Sequence, residues 1–159
     1  MAESHHELTL PIQNAHFIWY CSWTSILSAI VAYSRPTTTR LAFIPASVFT
    51  TSILYWRNPI RNSWRRKLDI AVVFSGVSYQ SYHVYTQYST PLIRQSYTAL
   101  IGMCASCYLL SDYFMKRGRL WNATYAHASI HIIANVANIM VYKGEQTSKQ
   151  SQMKSITTS

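Results

Sequence analysis

The chain has 159 residues, of which 12% are charged and 14% aromatic, and Lys and Arg outnumber Asp and Glu by 14 to 5. That length suits one domain. The charged fraction is about half the roughly 25% of an ordinary soluble domain, too little to cover the outer faces of a soluble helical bundle, and the net charge of +9 needs no nucleic-acid partner, because attraction to anionic lipid head groups accounts for it.

The first fourteen residues, "MAESHHELTLPIQN", have neither a basic region nor an apolar core, so they do not read as a signal peptide. Five stretches free of Asp, Glu, Lys and Arg follow: Ala15–Ser34, Leu41–Trp56, Ile70–Ile93, Gln95–Ser111 and Leu120–Tyr142. Each is near the roughly 17 to 25 residues that a bilayer-crossing helix needs, although the second is short and Pro45 interrupts it. Residues 15–142 are therefore expected to form an all-α, polytopic transmembrane bundle of about five spans, with a soluble helical bundle as the alternative. The tail from Lys143, "KGEQTSKQSQMKSITTS", is polar and rich in Ser and Thr, and is expected to be disordered. Cys21, Cys104 and Cys107 are odd in number. "CASC" has the spacing of a redox or zinc pair but lies in an apolar stretch without a second pair, which favours structural thiols.

Basic residues sort the ends. "RNPIRNSWRRK" carries five between the second and third stretches and "KRGR" three between the fourth and fifth, whereas the opposite short loops hold only Arg35, Arg40 and Arg94. The positive-inside rule then puts the N-terminus in the cytoplasm and the C-terminus outside or in a lumen.

In "HASIHIIANVAN", at a helical 100° per residue, His127, His131, Asn135 and Asn138 fall within about 80° and form one stripe about 16 Å long. Such groups are costly in lipid, so the stripe should face protein or a cavity. Interhelical hydrogen bonding is one role; two imidazoles four residues apart also have the spacing to share a metal. Asp69, Gly76, Gln80 and His83 form a matching stripe on the third stretch. Asp69 also suits a helix start, where it complements the dipole and pairs with Arg65 or Arg66. Chain direction places Ser52, Trp56, Asp69, Asp112, His127 and His131 near one face of the membrane and His83 about 21 Å deeper than Asp69.

In order, "SILYW" ending at Trp56, "RRKLD" ending at Asp69, and "HASIH" from His127 to His131 resemble the three blocks of the alkaline ceramidase, progestin and adipoQ receptor, and hemolysin III membrane superfamily. The resemblance covers about a third of the chain. It implies a zinc-dependent lipid amidase with a seven-helix fold, in which three His bind the metal and a Ser and an Asp lie beside its water. Here Trp56 stands at the first metal-ligand position and five spans replace seven. Carried over, the resemblance gives His127 and His131 as metal ligands, Asp69 as third ligand or base, and Ser52 as a catalytic partner; Asp112 is a further carboxylate for the ligand set. Two His and one carboxylate suit zinc, iron or another transition metal.

Three functions follow. The first expectation is a non-catalytic relative that binds a lipid or small ligand in a polar cavity near the cytoplasmic leaflet, lined by Trp56, Gln80, Asn135 and Asn138. The alternatives are a metal-dependent lipid amide or ester hydrolase and a small-solute or proton pathway along the stripes. The geometry expected is close: an Asp69 carboxylate within roughly 6 Å of an imidazole, as neighbouring helices allow, Ser52 in the same cavity, and Trp56 as its lid with a polar partner for the indole N–H. "NAT" at Asn122–Thr124 is a glycosylation sequon that this topology puts in the cytoplasm, unmodified.

Overall fold

The computed structural model describes residues 7–87 and 90–157, with backbone alone for 145–157; positions 1–6 of the N-terminal segment and 88–89 of the third uncharged stretch lie outside it. The fold is all-α. Its helices are α1 (Ile12–Ser22), α2 (Ser25–Tyr33), α3 (Phe43–Trp56, entered through a 3₁₀ turn at Thr39–Ala42), α4 (Trp64–Gln87), α5 (Pro91–Lys116) and α6 (Leu120–Thr157). Among the described residues the one β feature is an isolated bridge between Leu8 and Ile60.

Local chemistry sets the boundaries. Pro45 sits in the first turn of α3, where a missing amide breaks no intrahelical bond, so it admits the helix rather than interrupting it. Ser63 precedes α4 and accepts the Arg66 amide at 3.3 Å, a side-chain N-cap. Pro91 opens α5 at a position where proline is pre-organised. Gly118, with φ at 71°, closes α5; its amide reaches Met115 O at 3.0 Å and the Arg119 amide reaches Phe114 O at 2.9 Å. This is a Schellman ending, and it turns the chain directly into α6. The α6 backbone runs on through Thr157, where a disordered tail is expected from Lys143. The tail contains no Pro, and its Glu, Gln, Lys and Met residues are good helix formers.

Between α1 and α2 the chain keeps its direction but tightens. The amides of Trp23 and Thr24 reach back three residues, to Tyr20 and Cys21. Ser22 and Thr24 turn their hydroxyls onto the carbonyls of Ile18 and Cys21 at 2.9 and 2.7 Å. Such back-bonding competes with the helical ladder and bends it. Together the two helices make a continuous segment, Ile12–Tyr33, that is long and apolar enough to cross a membrane, as is Pro91–Lys116.

The helices alternate in direction. At one end, hereafter the near end, residues 7–9 pair with the α3–α4 loop: Thr9 N–H donates to Pro59 O, Arg61 N–H to Glu7 O, and the Arg61 guanidinium bonds the Glu7 carboxylate at 2.8 Å. The α5–α6 turn lies at the same end, since Asn14 reaches Thr124. At the far end, Arg35 Nη1 donates to Tyr142 O at 3.5 Å.

Two buried clusters hold the bundle. At the far end Ala32, Leu41, Ile44, Val84, Tyr97, Ala137, Val141 and Tyr142 join every long element, and at the near end Leu10, Ala15, Ile18, Tyr55, Trp56 and Ala128 tie α1, α3 and α6. Helices α5 and α6 form an extensive antiparallel hairpin, whereas α4 packs chiefly on α3 and meets α5 only near their connection. Gly76 makes the α3–α4 approach possible: a Cβ there would lie 2.9 Å from Ile44 Cγ2.

Candidate functional site

The stripe on α6 faces inward, and its partners come mainly from the first segment. At the near end Asn14 Nδ2 donates to Thr124 Oγ1 at 2.9 Å. One turn deeper the rings of Trp56 and His127 meet edge to face, centroids 4.7 Å apart, and His131 follows with its ring 5.9 Å from that of His127. His131 Nε2 lies 3.3 Å from Ser22 Oγ. Ser22 Oγ also lies 2.9 Å from Ile18 O; with its single proton there, it accepts from His131 in the Nε2–H tautomer. Asn135 is held on both sides: Oδ1 accepts from Ser28 at 2.6 Å, while the two Nδ2 protons go to His131 O at 2.6 Å and to Thr24 Oγ1 at 2.9 Å, the latter shared with Ser25 Oγ at 3.4 Å. Thr24 is available for this bond because the tightened turn after α1 presents it inward. Deepest, Asn138 Oδ1 accepts from Gln80 Nε2 at 2.8 Å, and Gln80 Oε1 accepts from the buried Tyr142 hydroxyl at 3.2 Å. From Thr124 to Tyr142 this ladder covers about 27 Å of helix, close to the thickness of a bilayer's hydrocarbon core.

Asp69 belongs to a second group. Thr51 and Ser52 both donate to its Oδ1 at 2.8 Å, at the α3–α4 contact. The expected meeting of Ser52 and Asp69 is therefore present, and Trp56 lies one turn beyond Ser52 on the same helix. Asp69 is not assembled with the imidazoles: among the described residues no group of three His, Cys, Asp or Glu side chains is placed to hold a metal ion. The reason is packing. The first half of α4 lies on α3 rather than on α6, and Asp69 points at the α3 hydroxyls. Asp112 is turned away too, in a 2.6 Å exposed pair with Lys116 four residues on. His83 sits a turn beyond Gln80, at the far end. Trp56, at the third-ligand position of the resemblance, offers an N–H donor where a metal requires a lone pair, so the residues present do not fit a three-ligand zinc site.

Trp56 itself departs from expectation in one respect. It is only 4% exposed, yet its buried Nε1–H has no hydrogen-bond partner among the described residues. Trp19, packed against the same cluster, has a second buried, unpartnered indole N–H. Buried donors without partners are uncommon and costly, about 1–3 kcal/mol each. The three cysteines are free thiols of intermediate burial, and Cys104 Sγ lies 3.8 Å from Ile130 O. Sequence reasoning missed the α1–α2 partners of the stripe. Their signal was present, because Asn14, Ser22, Ser25 and Ser28 share one face of an otherwise apolar segment.

Comparison with protein-family models, with curated proteins and with solved structures finds no match.

Proposed function

We propose that the chain is an integral, multi-pass membrane protein that binds a lipid or small ligand through a hydrogen-bond acceptor at Trp56, beside His127 and His131. The observation that carries the binding reading is the Trp56 indole N–H, buried against an imidazole and without a hydrogen-bond partner among the described residues. An ester or amide carbonyl oxygen is the acceptor that such a donor takes. The membrane reading is supported by what the bundle leaves on its outside. Phe74, Leu92 and Leu109 are 76, 69 and 67% exposed, and many other large apolar side chains accompany them, far more than the scattered apolar residues of a soluble surface. Exposed aromatics gather at both ends, Trp64, Tyr113 and Trp121 at the near end and Tyr33, Tyr82 and Tyr85 at the far end, as in the aromatic belts of membrane proteins. With the eight basic residues of the near-end loops, the same rule orients that end to the cytoplasm.

Hydrolysis is the second reading, favoured by the Ser52–Asp69 bond one turn from Trp56 and by the order of blocks shared with the ceramidase-like superfamily. A metal centre for it requires a ligand beyond His127 and His131.

The test is native mass spectrometry of the detergent-purified protein. Wild-type protein is expected to retain a lipid or small molecule, and Trp56→Phe, which keeps the ring and loses the N–H, is expected to lose it without a fall in melting temperature. Equal retention by both proteins overturns the proposal.

A further inference from the structure

The far end holds a cleft unrelated to the histidines. It is open, about 530 Å³ in volume, and lies between the last turns of α4 and the first turns of α5, lined by Tyr85, Pro91, Arg94, Gln95, Thr98 and Ala99. Arg94 is the only charged residue among its described lining. The Nε–H of Arg94 is buried and has no hydrogen-bond partner among the described residues, and no salt bridge to Arg94 occurs among them. A guanidinium turned into a cleft, with its donors uncommitted, is an anion receptor awaiting two oxygens. The neutral groups around it are suited to complete one. Gln95 adds an amide, while the Tyr85 and Thr98 hydroxyls, 2.7 Å apart, form the wall of the cleft, Tyr85 donating to Thr98 and Thr98 to Arg94 O at 2.8 Å. The cleft also adjoins the first turn of α5, whose free amides carry the positive end of a helix dipole.

We propose that this cleft binds a phosphate group, with Arg94 as its principal ligand and the Gln95 amide as a hydrogen-bonding neighbour. A phosphate rather than a carboxylate fits because its several oxygens can engage the guanidinium, the Gln95 amide and the first-turn amides of α5 at once. Two sources present that chemistry, a phospholipid head group and free inorganic phosphate. The site is independent of Trp56 and of the ligand proposed there.

The experiment uses the full chain in detergent with two probes: inorganic phosphate followed by calorimetry, and phosphatidylglycerol retention from mixed phosphatidylglycerol–phosphatidylcholine nanodiscs followed by native mass spectrometry. Arg94→Gln is expected to weaken binding about ten- to a hundredfold, the worth of a charge-assisted hydrogen bond. Arg94→Lys restores part of it, and Arg40→Gln at the same end leaves it unchanged. Because the Arg94 side chain has no hydrogen bond or salt bridge among the described residues, the variants are expected to fold as wild type, which melting temperature checks. Loss with inorganic phosphate alone supports the site with a soluble ligand; loss with phosphatidylglycerol supports it with a head group. Binding of neither probe, or binding of both unchanged by Arg94→Gln, overturns the proposal.

Discussion

The Trp56 ring packs edge to face on that of His127, with centroids 4.7 Å apart. Since His127 and His131 are already stacked along one face of α6, replacing this one side chain tests whether the pair is a latent metal site. Trp56→His is expected to bind one zinc per chain, measured by elemental analysis of protein purified in zinc-supplemented buffer, and to lose it again in the Trp56→His/His127→Ala double variant. A Trp56→His protein that folds and remains metal-free would show that the three positions do not converge.

Asn135 makes more bonds than Asn138, yet Asn138 is expected to matter at least as much for stability. Without Asn135, Ser28 and Thr24 still donate to the carbonyls of Ser25 and Cys21. Without Asn138, Gln80 Nε2 loses its acceptor, in a residue only 1% exposed. Asn138→Leu should therefore cost about 1–3 kcal/mol, and Asn135→Leu nearer 1 kcal/mol, read from thermal or denaturant unfolding in detergent. The reverse order would mean that the upper part of the ladder carries the fold.

Gly76→Ala should destabilise by about 1–3 kcal/mol, because its new methyl meets Ile44 Cγ2 at 2.9 Å in a buried contact. The same change should cost less in an Ile44→Ala background, where helix propensity favours alanine over glycine by about 1 kcal/mol. Additive losses would place the α3–α4 approach elsewhere.

The Ser52 and Thr51 bonds converge on one oxygen of Asp69. In a double-mutant cycle, Ser52→Ala and Asp69→Asn should couple by about 1 kcal/mol or more in stability. Zero coupling would make the contact incidental and remove the structural basis of the hydrolase reading.

Asn122 is exposed on the first turn of α6, but Thr124 of the same sequon is fully buried, donating to Leu120 O and accepting from Asn14. Expressed in a eukaryotic secretory membrane, the chain is expected to migrate without a glycan at Asn122, as judged by glycosidase treatment. A glycan there would put the near end in the lumen and invert the orientation.

Periodicity carried the inward face of α6, because a single helix's geometry decides it; that Ser52 and Asp69 lie at one level followed from chain direction, which puts the end of α3 beside the start of α4. Periodicity did not reach the relation between helices. The distance from Asp69 to the histidines depends on which neighbour α4 chooses, and that choice rests on Gly76 admitting Ile44, a contact that no helical wheel displays. The tightening at Ser22–Thr24 was hidden for a related reason: serine and threonine in an apolar run read as tolerated residues until their back-bonds are seen. The missing partner of the Trp56 N–H is likewise a three-dimensional fact, since the composition of "SILYW" gives no sign of it.

The ladder joins residues that the ribosome makes at opposite ends of its task. Asn14, Ser22 and Ser28 bond to residues 110, 109 and 107 positions later. During synthesis the first segment therefore waits, with Asn14, Ser22 and Ser28 lacking their final α6 partners, until α6 emerges almost last. The α5–α6 hairpin can close on itself as it is made, because its two arms are contiguous in sequence. Assembly thus ends with a preformed hairpin docking onto an early segment, and a chain truncated before Leu120 leaves that segment polar and unpartnered, a substrate for quality control rather than a smaller version of the fold.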